Sequence, residues 1–137
     1  MTIGLETAQV GMTVAQTVYG PFARDDLQRY AQASGDFNPL HLDPAFARQA
    51  GFDDVIVHGM LGMALLGRLI EDAFPSHPLR LFRSRFRNVI PLGQPIKCTA
   101  RLEQRIGNAA IVRLTATVGS AGTVVIEGSA TLALGAA

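Results

Sequence analysis

The chain has 137 residues, of which 48% are hydrophobic and 17% charged, so it can bury a core and is too apolar to be disordered. Its 12 Lys and Arg residues nearly balance its 11 Asp and Glu residues, and it has no Trp, so we expect neither a nucleic acid nor a membrane as partner. The single cysteine, Cys98, and a start without a basic, apolar leader predict a cytoplasmic protein without disulfides.

Two helices are predicted in the first part of the chain. Apolar residues at helical spacing predict the first over residues 24–34, and Gly35 suits the left-handed position just past its end. Asp43 as N-cap and Pro44 at the first helical position predict a short second helix that ends near Gly51.

A third helix is predicted over residues 59–73, where it ends before Pro75. Its first three turns are apolar nearly all round, which predicts that protein surrounds it on every side. Gly62 and Gly67 each cost about 1 kcal/mol in a helix interior, so we expect close approach by a neighbouring backbone there.

The second half of the chain changes to strict alternation of apolar and polar residues, which is typical of strands. Three such runs, at 96–103, 112–118 and 124–134, predict an antiparallel meander, and Leu79–Ile90 predicts a further strand. No repeat or linker interrupts the chain, so we expect one domain over residues 1–137. A buried helix followed by four or five antiparallel strands is an α+β arrangement in which the sheet can curl around the helix.

The loop SGDFNPLH carries the residues best suited to chemistry. Asp36 and His41 are a carboxylate and an imidazole, the pair that can polarise a water, and Asn38 can hydrogen-bond without titrating. The alternative is that the two polar residues make Asx-turns and that His41 is a surface residue, and the spacing alone favours it. A metal site formed by His41, Asp43 and His58 is a further alternative, although the spacing matches no metal motif.

Two further features allow a functional and a structural interpretation. At the start of the third helix, Gly59 offers a backbone N–H to a developing oxyanion, or it is only a tolerated cap beside a core histidine, His58. Arg83, Arg85 and Arg87 share one face of a strand, which is either solvated or holds the phosphates of an acyl carrier.

The segment SGDFNPLHLDPAFARQAGFDDVIVHGML resembles the MaoC-like dehydratase family, which includes the (R)-specific enoyl-CoA hydratases. The match runs from Ala23 to Leu61 and keeps the family's order and spacing at Gly35, Asp36, Asn38, Pro39, His41, Asp43 and His58-Gly59-Met60. The resemblance implies a hot-dog fold, in which a long central helix is wrapped by a curled antiparallel sheet, and a homodimer.

The resemblance also implies roles for individual residues. Asp36 and His41 match the catalytic pair, Asn38 matches a residue that organises the site, and Gly59 matches the oxyanion-hole N–H. His58 and Met60, on either side of that glycine, are predicted to bind substrate. The implied reaction is reversible hydration of trans-2-enoyl thioesters of coenzyme A or acyl carrier protein to (R)-3-hydroxyacyl thioesters, with no metal or other cofactor.

One departure and two alternatives accompany this interpretation. Some hydratases carry a serine on the central helix near the catalytic aspartate, at the position that aligns with Gly67. A hot-dog acyl-CoA thioesterase would bind similar thioesters, but it needs a carboxylate aimed at the carbonyl carbon. A non-catalytic acyl-binding subunit of a heterodimeric dehydratase is the second alternative.

Overall fold

The structure is a computed structural model that describes residues 1–135. Its α-helices are Arg24–Ser34 (α1), Pro44–Gln49 (α2) and Gly59–Ala73 (α3), and a 3₁₀ turn occupies Pro39–His41. Its strands are Thr13–Tyr19 (β1), Ile56–Val57 (β2), Leu79–Phe86 (β3), Ile90–Pro91 (β4), Ile96–Ile106 (β5), Ala109–Val118 (β6) and Thr123–Ala133 (β7). None of the helices described over this range is long and apolar enough to cross a membrane.

Five strands form one antiparallel sheet in the order β1-β5-β6-β7-β3, and β2 pairs with β4 in a separate two-stranded ladder. The meander of β5, β6 and β7 is confirmed. On its inner face every second residue of β5 from Ile96 to Leu102 is buried, whereas Lys97 and Arg101 point to solvent. Helix α3 packs on the inner face, against β5, β1 and β6.

The two shorter helices have the ends that the sequence predicts. Gly35 follows α1 with φ of 78°, a conformation that glycine adopts without steric cost, and its N–H donates to the Ala31 carbonyl. Asp43 caps α2, because its carboxylate accepts the N–H groups of Ala45 at 3.0 Å and Phe46 at 3.3 Å.

Helix α3 begins and ends where predicted, but its own chain does not surround it. Leu65, Leu66, Leu69 and Ile70 are buried against the sheet. On the opposite side Met60 is 55% exposed and Ala64 is also exposed. The prediction of burial all round is therefore wrong for the single chain, because the sheet covers only one side of the helix.

The glycines of α3 meet side chains rather than the neighbouring backbone that we expected. A Cβ at Gly62 would lie 2.6 Å from Cδ1 of Ile126 and 2.7 Å from Cδ1 of Ile90. A Cβ at Gly67 would lie 3.2 Å from the ring of Phe82, and no atom of Asp36 comes within 4 Å of it. Position 67, where some hydratases carry a serine near the catalytic aspartate, is therefore not in contact with Asp36 in this chain.

The region predicted as one strand, Leu79–Ile90, is divided in two. The N–H groups of Arg87 and Asn88 both donate to the Val125 carbonyl, which turns the chain away from β7. Ile90 then pairs with Val57 in the small ladder. This turn places residues 87–89 beside the start of α3 and so shapes the site described below.

The two edges of the large sheet are not equivalent. Along β1, the Ile3 N–H donates to the Val14 carbonyl and the Gln16 N–H donates to the Met1 carbonyl, so the first residues cover this edge. Along β3, no second strand pairs with the outer edge within residues 1–135. The β3 edge therefore retains free backbone groups that can pair with another chain.

Candidate active site

The loop between α1 and α2 is built from its own polar side chains. The Asn38 N–H donates to Asp36 Oδ1 at 3.2 Å, and the Leu40 N–H donates to Asn38 Oδ1 at 3.0 Å. Both Asx-turns of the structural alternative are therefore present. They use one carboxylate oxygen of Asp36, leave the other free, and start the 3₁₀ turn that carries His41.

His41 is held in one tautomer by the main chain. Its Nδ1 lies 2.8 Å from the carbonyl oxygen of Ile56 in β2. Because a carbonyl can only accept, Nδ1 carries the hydrogen and Nε2 keeps its lone pair. The side chain is only 12% exposed, so it is not the surface residue of the structural alternative.

The free nitrogen of His41 faces the free oxygen of Asp36. His41 Nε2 lies 4.0 Å from Asp36 Oδ2, which is too far for a direct hydrogen bond. Since both atoms are acceptors, a water between them can donate one hydrogen to each. With the water oxygen about 2.8 Å from both atoms, an ordinary hydrogen-bond length, the angle Nε2–O–Oδ2 at the water would be about 90°, near the bond angle of water.

His58 lies beneath this pair, fully buried. Its Nε2–H donates to the main-chain carbonyl of Asp36 at 3.2 Å, and its ring stacks on His41 with centroids 3.9 Å apart and planes 25° apart. The ring of Tyr30 meets it edge-on at 4.7 Å. Burial, the largest cause, lowers the pKa of His58, so the ring is neutral near pH 7.

A cavity of about 310 Å³ opens in front of His41 and the start of α3. Its lining is mostly apolar: His41, Ile56, Val57, Gly59, Phe86, Arg87, Asn88, Val89, Ile90 and Ile126. A Cβ at Gly59 would lie 3.2 Å from the Phe86 ring, so glycine keeps this wall open. The first N–H groups of a helix have no acceptor within it, and the N-cap residue supplies no side-chain cap, so the Gly59 N–H is free to bind an anionic oxygen at the cavity.

Three potential metal ligands, Asp36, His41 and His58, lie with donor atoms within 4.8 Å of one another. The two imidazoles stack face to face, so their in-plane lone pairs do not converge on one point as a metal ion requires. Asp43, the third ligand of the sequence alternative, caps α2 instead. The geometry favours the acid–base interpretation.

The structure thus brings His41 and Gly59 to one cavity and places Asp36 Oδ2 4.0 Å from His41 Nε2, with Asn38 shaping the loop that carries Asp36 and His41. Met60 lies beside it but does not line it in the single chain. The prediction that His58 binds substrate is corrected, because a fully buried ring offers no surface to a substrate.

Sequence reasoning missed two contacts of the site. The Ile56 carbonyl that fixes His41 is a backbone group, which no residue pattern marks. The ring of Tyr30 packs against His58 from the stripe of α1, where the sequence indicated only core. Arg83 and Arg85 of β3 and Arg87 just after it are exposed, and of these three only Arg87, paired with Glu127 at 3.1 Å, reaches the cavity.

A carboxylate, an imidazole of fixed tautomer and a helix N-terminus around one apolar cavity define an acid–base site that can add or remove water. The sequence model of the MaoC-like domain matches residues 6–124. The chain belongs to this family.

Characterised relatives cover most of the chain. The 3-hydroxyacyl-thioester dehydratase Z of Mycobacterium tuberculosis is 30% identical over 131 residues, which are 90% of this chain and 83% of that protein. The mitochondrial 3-hydroxyacyl-[acyl-carrier-protein] dehydratase of Arabidopsis thaliana is 40% identical over 75 residues, 55% of this chain, and the match spans only 45% of that relative's length.

Solved structures agree on the fold. The R-hydratase PhaJ1 of Pseudomonas aeruginosa has a TM-score of 0.84 at 30% identity, over 94% of this chain and 83% of that one. The (R)-hydratase of A. caviae has a TM-score of 0.83 at 26% identity, over 95% of this chain and 99% of that one. The predictions of the family, of the hot-dog α+β fold and of a hydro-lyase acting on acyl thioesters are thereby confirmed.

Proposed function

We propose that this protein adds water reversibly to trans-2-enoyl thioesters and forms (R)-3-hydroxyacyl thioesters. The observation that carries the proposal is the pair of acceptors, Asp36 Oδ2 and His41 Nε2, held 4.0 Å apart beside the cavity. The relatives named as hydratases and dehydratases support the same reaction. The acyl carrier is coenzyme A or an acyl carrier protein.

The proposed mechanism adds one water without a redox or metal step. The water donates one O–H to Asp36 and the other to His41, which fixes its oxygen toward C3 of the enoyl group. As the C3–O bond forms, Asp36 takes the proton, and the electrons of the double bond move toward the thioester oxygen. The Gly59 N–H stabilises that charge, and the proton then passes to C2, so that one O–H bond is replaced by one C–H bond.

Hydration of crotonyl-CoA, followed by loss of the conjugated double bond, tests this function. We expect turnover by the wild-type protein without release of free thiol. Release of thiol from acyl-CoA would indicate the thioesterase alternative, which needs a carboxylate at the carbonyl carbon. If neither signal appears with the wild-type protein alone, the non-catalytic subunit becomes the better interpretation.

We also propose that two copies of the chain form a homodimer through the β3 side of the sheet. The free edge of β3, the 51% exposed Phe86 and the exposed stripe of α3 with Met60 all lie on the side of the cavity. Pairing there would cover apolar surface and close the sheet edge. Light scattering at micromolar concentration is expected to report twice the chain mass, and a monomer at that concentration would refute the proposal.

Two parts of the proposal rest on sequence alone. A cytoplasmic location agrees with the single cysteine of the sequence, Cys98. One domain over residues 1–137 agrees with the absence of a linker in the sequence.

A further inference from the structure

His58 touches both proposed catalytic residues from below, although it lines no part of the cavity. It reaches Asp36 through the main chain, by an N–H···O bond to the Asp36 carbonyl, and it reaches His41 through its ring face. We propose that His58 is a positioning residue, which sets the separation and orientation of Asp36 and His41. This inference rests on the function proposed above and extends it.

The stacked ring supplies the constraint that His41 otherwise lacks. The Nδ1–H bond to the Ile56 carbonyl fixes one point of the imidazole, but the ring could still tilt about that bond. The face of His58, at 3.9 Å, fixes the plane. Together the two contacts determine where Nε2 points, and a misplacement of about 1 Å can cost 10²-fold in rate.

The hydrogen bond to Asp36 fixes the other side of the water site. The loop after α1 is exposed at Gly35 and Phe37, and its own turns hold it only locally. The His58 N–H ties the Asp36 carbonyl to the start of α3, which is the element that also carries Gly59. The carboxylate and the oxyanion-binding N–H are therefore held by one rigid helix end.

The chemistry of the His58 ring suits a support and not a proton carrier. The titratable groups that face it are Asp36, His41 and Tyr30. Within residues 1–135 its Nδ1 has no hydrogen-bond partner, so a second ring proton would be buried without an acceptor. His58 therefore stays neutral. It places no positive charge beside His41, so it does not weaken His41 Nε2 as a hydrogen-bond acceptor.

The unpartnered Nδ1 allows an experiment that distinguishes a positioning role of His58 from a purely structural one. A buried acceptor without a donor destabilises the fold, so a phenylalanine of similar shape should be tolerated well at this place. Phenylalanine would keep the stack on His41 but lose the N–H that donates to the Asp36 carbonyl. Glutamine has the complementary property, because its amide can donate to the Asp36 carbonyl but it has no ring to support His41.

The experiment compares His58→Phe and His58→Gln with the wild type and with Leu66→Ala, a fully buried residue of α3 that does not line the cavity. Melting temperature, kcat and KM for crotonyl-CoA are measured on the same samples. We expect His58→Phe to melt no lower than the wild type and to lose roughly 10- to 100-fold in kcat with little change in KM. His58→Gln should also lose kcat, whereas Leu66→Ala should lose stability and keep its kcat.

A second readout is independent of turnover. The ¹⁵N shifts of His41 report its tautomer. We expect a single Nδ1–H form in the wild type and a mixture in His58→Gln, because a tilted His41 ring weakens the Nδ1–H bond to the Ile56 carbonyl that selects this tautomer. Wild-type kcat in both folded variants, with an unchanged His41 tautomer, would overturn the inference. If the wild-type protein itself does not hydrate crotonyl-CoA, the proposed function fails, and the His41 shifts still decide the positioning role.

Discussion

Alanine at Gly62 and at Gly67 provides a matched test of the packing around the central helix. Both residues lie in the interior of α3, so each substitution removes the same unfavourable helix propensity, about 1 kcal/mol. Their surroundings differ. A Cβ at Gly62 would lie at 2.6 and 2.7 Å from two isoleucine methyl groups, whereas at Gly67 the only close group is one ring edge at 3.2 Å.

The size of the expected difference follows from those distances. Carbon atoms pack at roughly 3.5–4.0 Å, so the Cδ1 atoms of Ile90 and Ile126 must each move by about 1 Å to admit a methyl group at Gly62. Overpacking of this kind costs roughly 1–3 kcal/mol. At Gly67 a small shift of Phe82 suffices, so Gly62→Ala should be less stable than Gly67→Ala by about that amount.

Thermal unfolding at one protein concentration measures the difference. At about 2.1 cal/mol/K per residue, the entropy of unfolding of this chain makes 1 kcal/mol equal to about 3–4 °C, so the two melting temperatures should differ by about 3–10 °C. Because Ile90 and Ile126 also line the cavity, Gly62→Ala should in addition raise KM for crotonyl-CoA. Equal melting temperatures would show that the interior beside Gly62 is not close-packed, contrary to the reasoning.

Three further predictions concern ionisable groups. Asp36→Asn and His41→Ala should each lower kcat by roughly 10²–10⁴-fold, and the double variant should be little worse, since both groups act on one water; folded Asp36→Asn protein with wild-type turnover would contradict the mechanism. Burial depresses the pKa of His58 below its ordinary value of 6.5, so the unfolded chain binds a proton that the folded chain does not, and stability should fall as the pH drops below 6.5. His58→Phe should lose this contribution, which denaturant titrations from about pH 7.5 to about pH 5.5 would detect as a smaller loss than in the wild type. Burial raises the pKa of the Cys98 thiol to about 12, so it should react with iodoacetamide only on unfolding, and rapid native alkylation would show that β5 opens.

The sequence predicts the regular elements well where local and tertiary preferences agree. The alternation in the first part of β5 survives folding because Ile96, Cys98, Ala100 and Leu102 all meet the core. The sequence does not indicate β1, because Val14 and Ala15 are both buried at an irregularity of the ladder, which breaks the period of two. The sequence does not indicate the end of β3, because the chain turns where Arg87 and Asn88 donate to the carbonyl of Val125. Val125 belongs to β7, which is distant in sequence.

For the site, the sequence predicts the residues but not their relationships. Asp36 and His41 stand in one loop, so their closeness follows from the chain. The stacking of His58 on His41 joins residues 17 positions apart and depends on how α3 docks against the loop. A motif therefore shows which groups are present, whereas the separation of two acceptors by 4.0 Å is a property of the fold.

The carbonyl of Ile56 has a consequence for how this site can be studied. It decides which nitrogen of His41 holds the hydrogen, yet no amino-acid exchange can remove it, since all residues carry the same group. A mutational scan of position 56 would change the side chain that lines the cavity and would leave this hydrogen bond untested. The contact becomes accessible when Val57 is replaced by its α-hydroxy acid, because the Ile56 carbonyl is then part of an ester and accepts hydrogen bonds less strongly. A site can thus depend on a group that substitution experiments never sample.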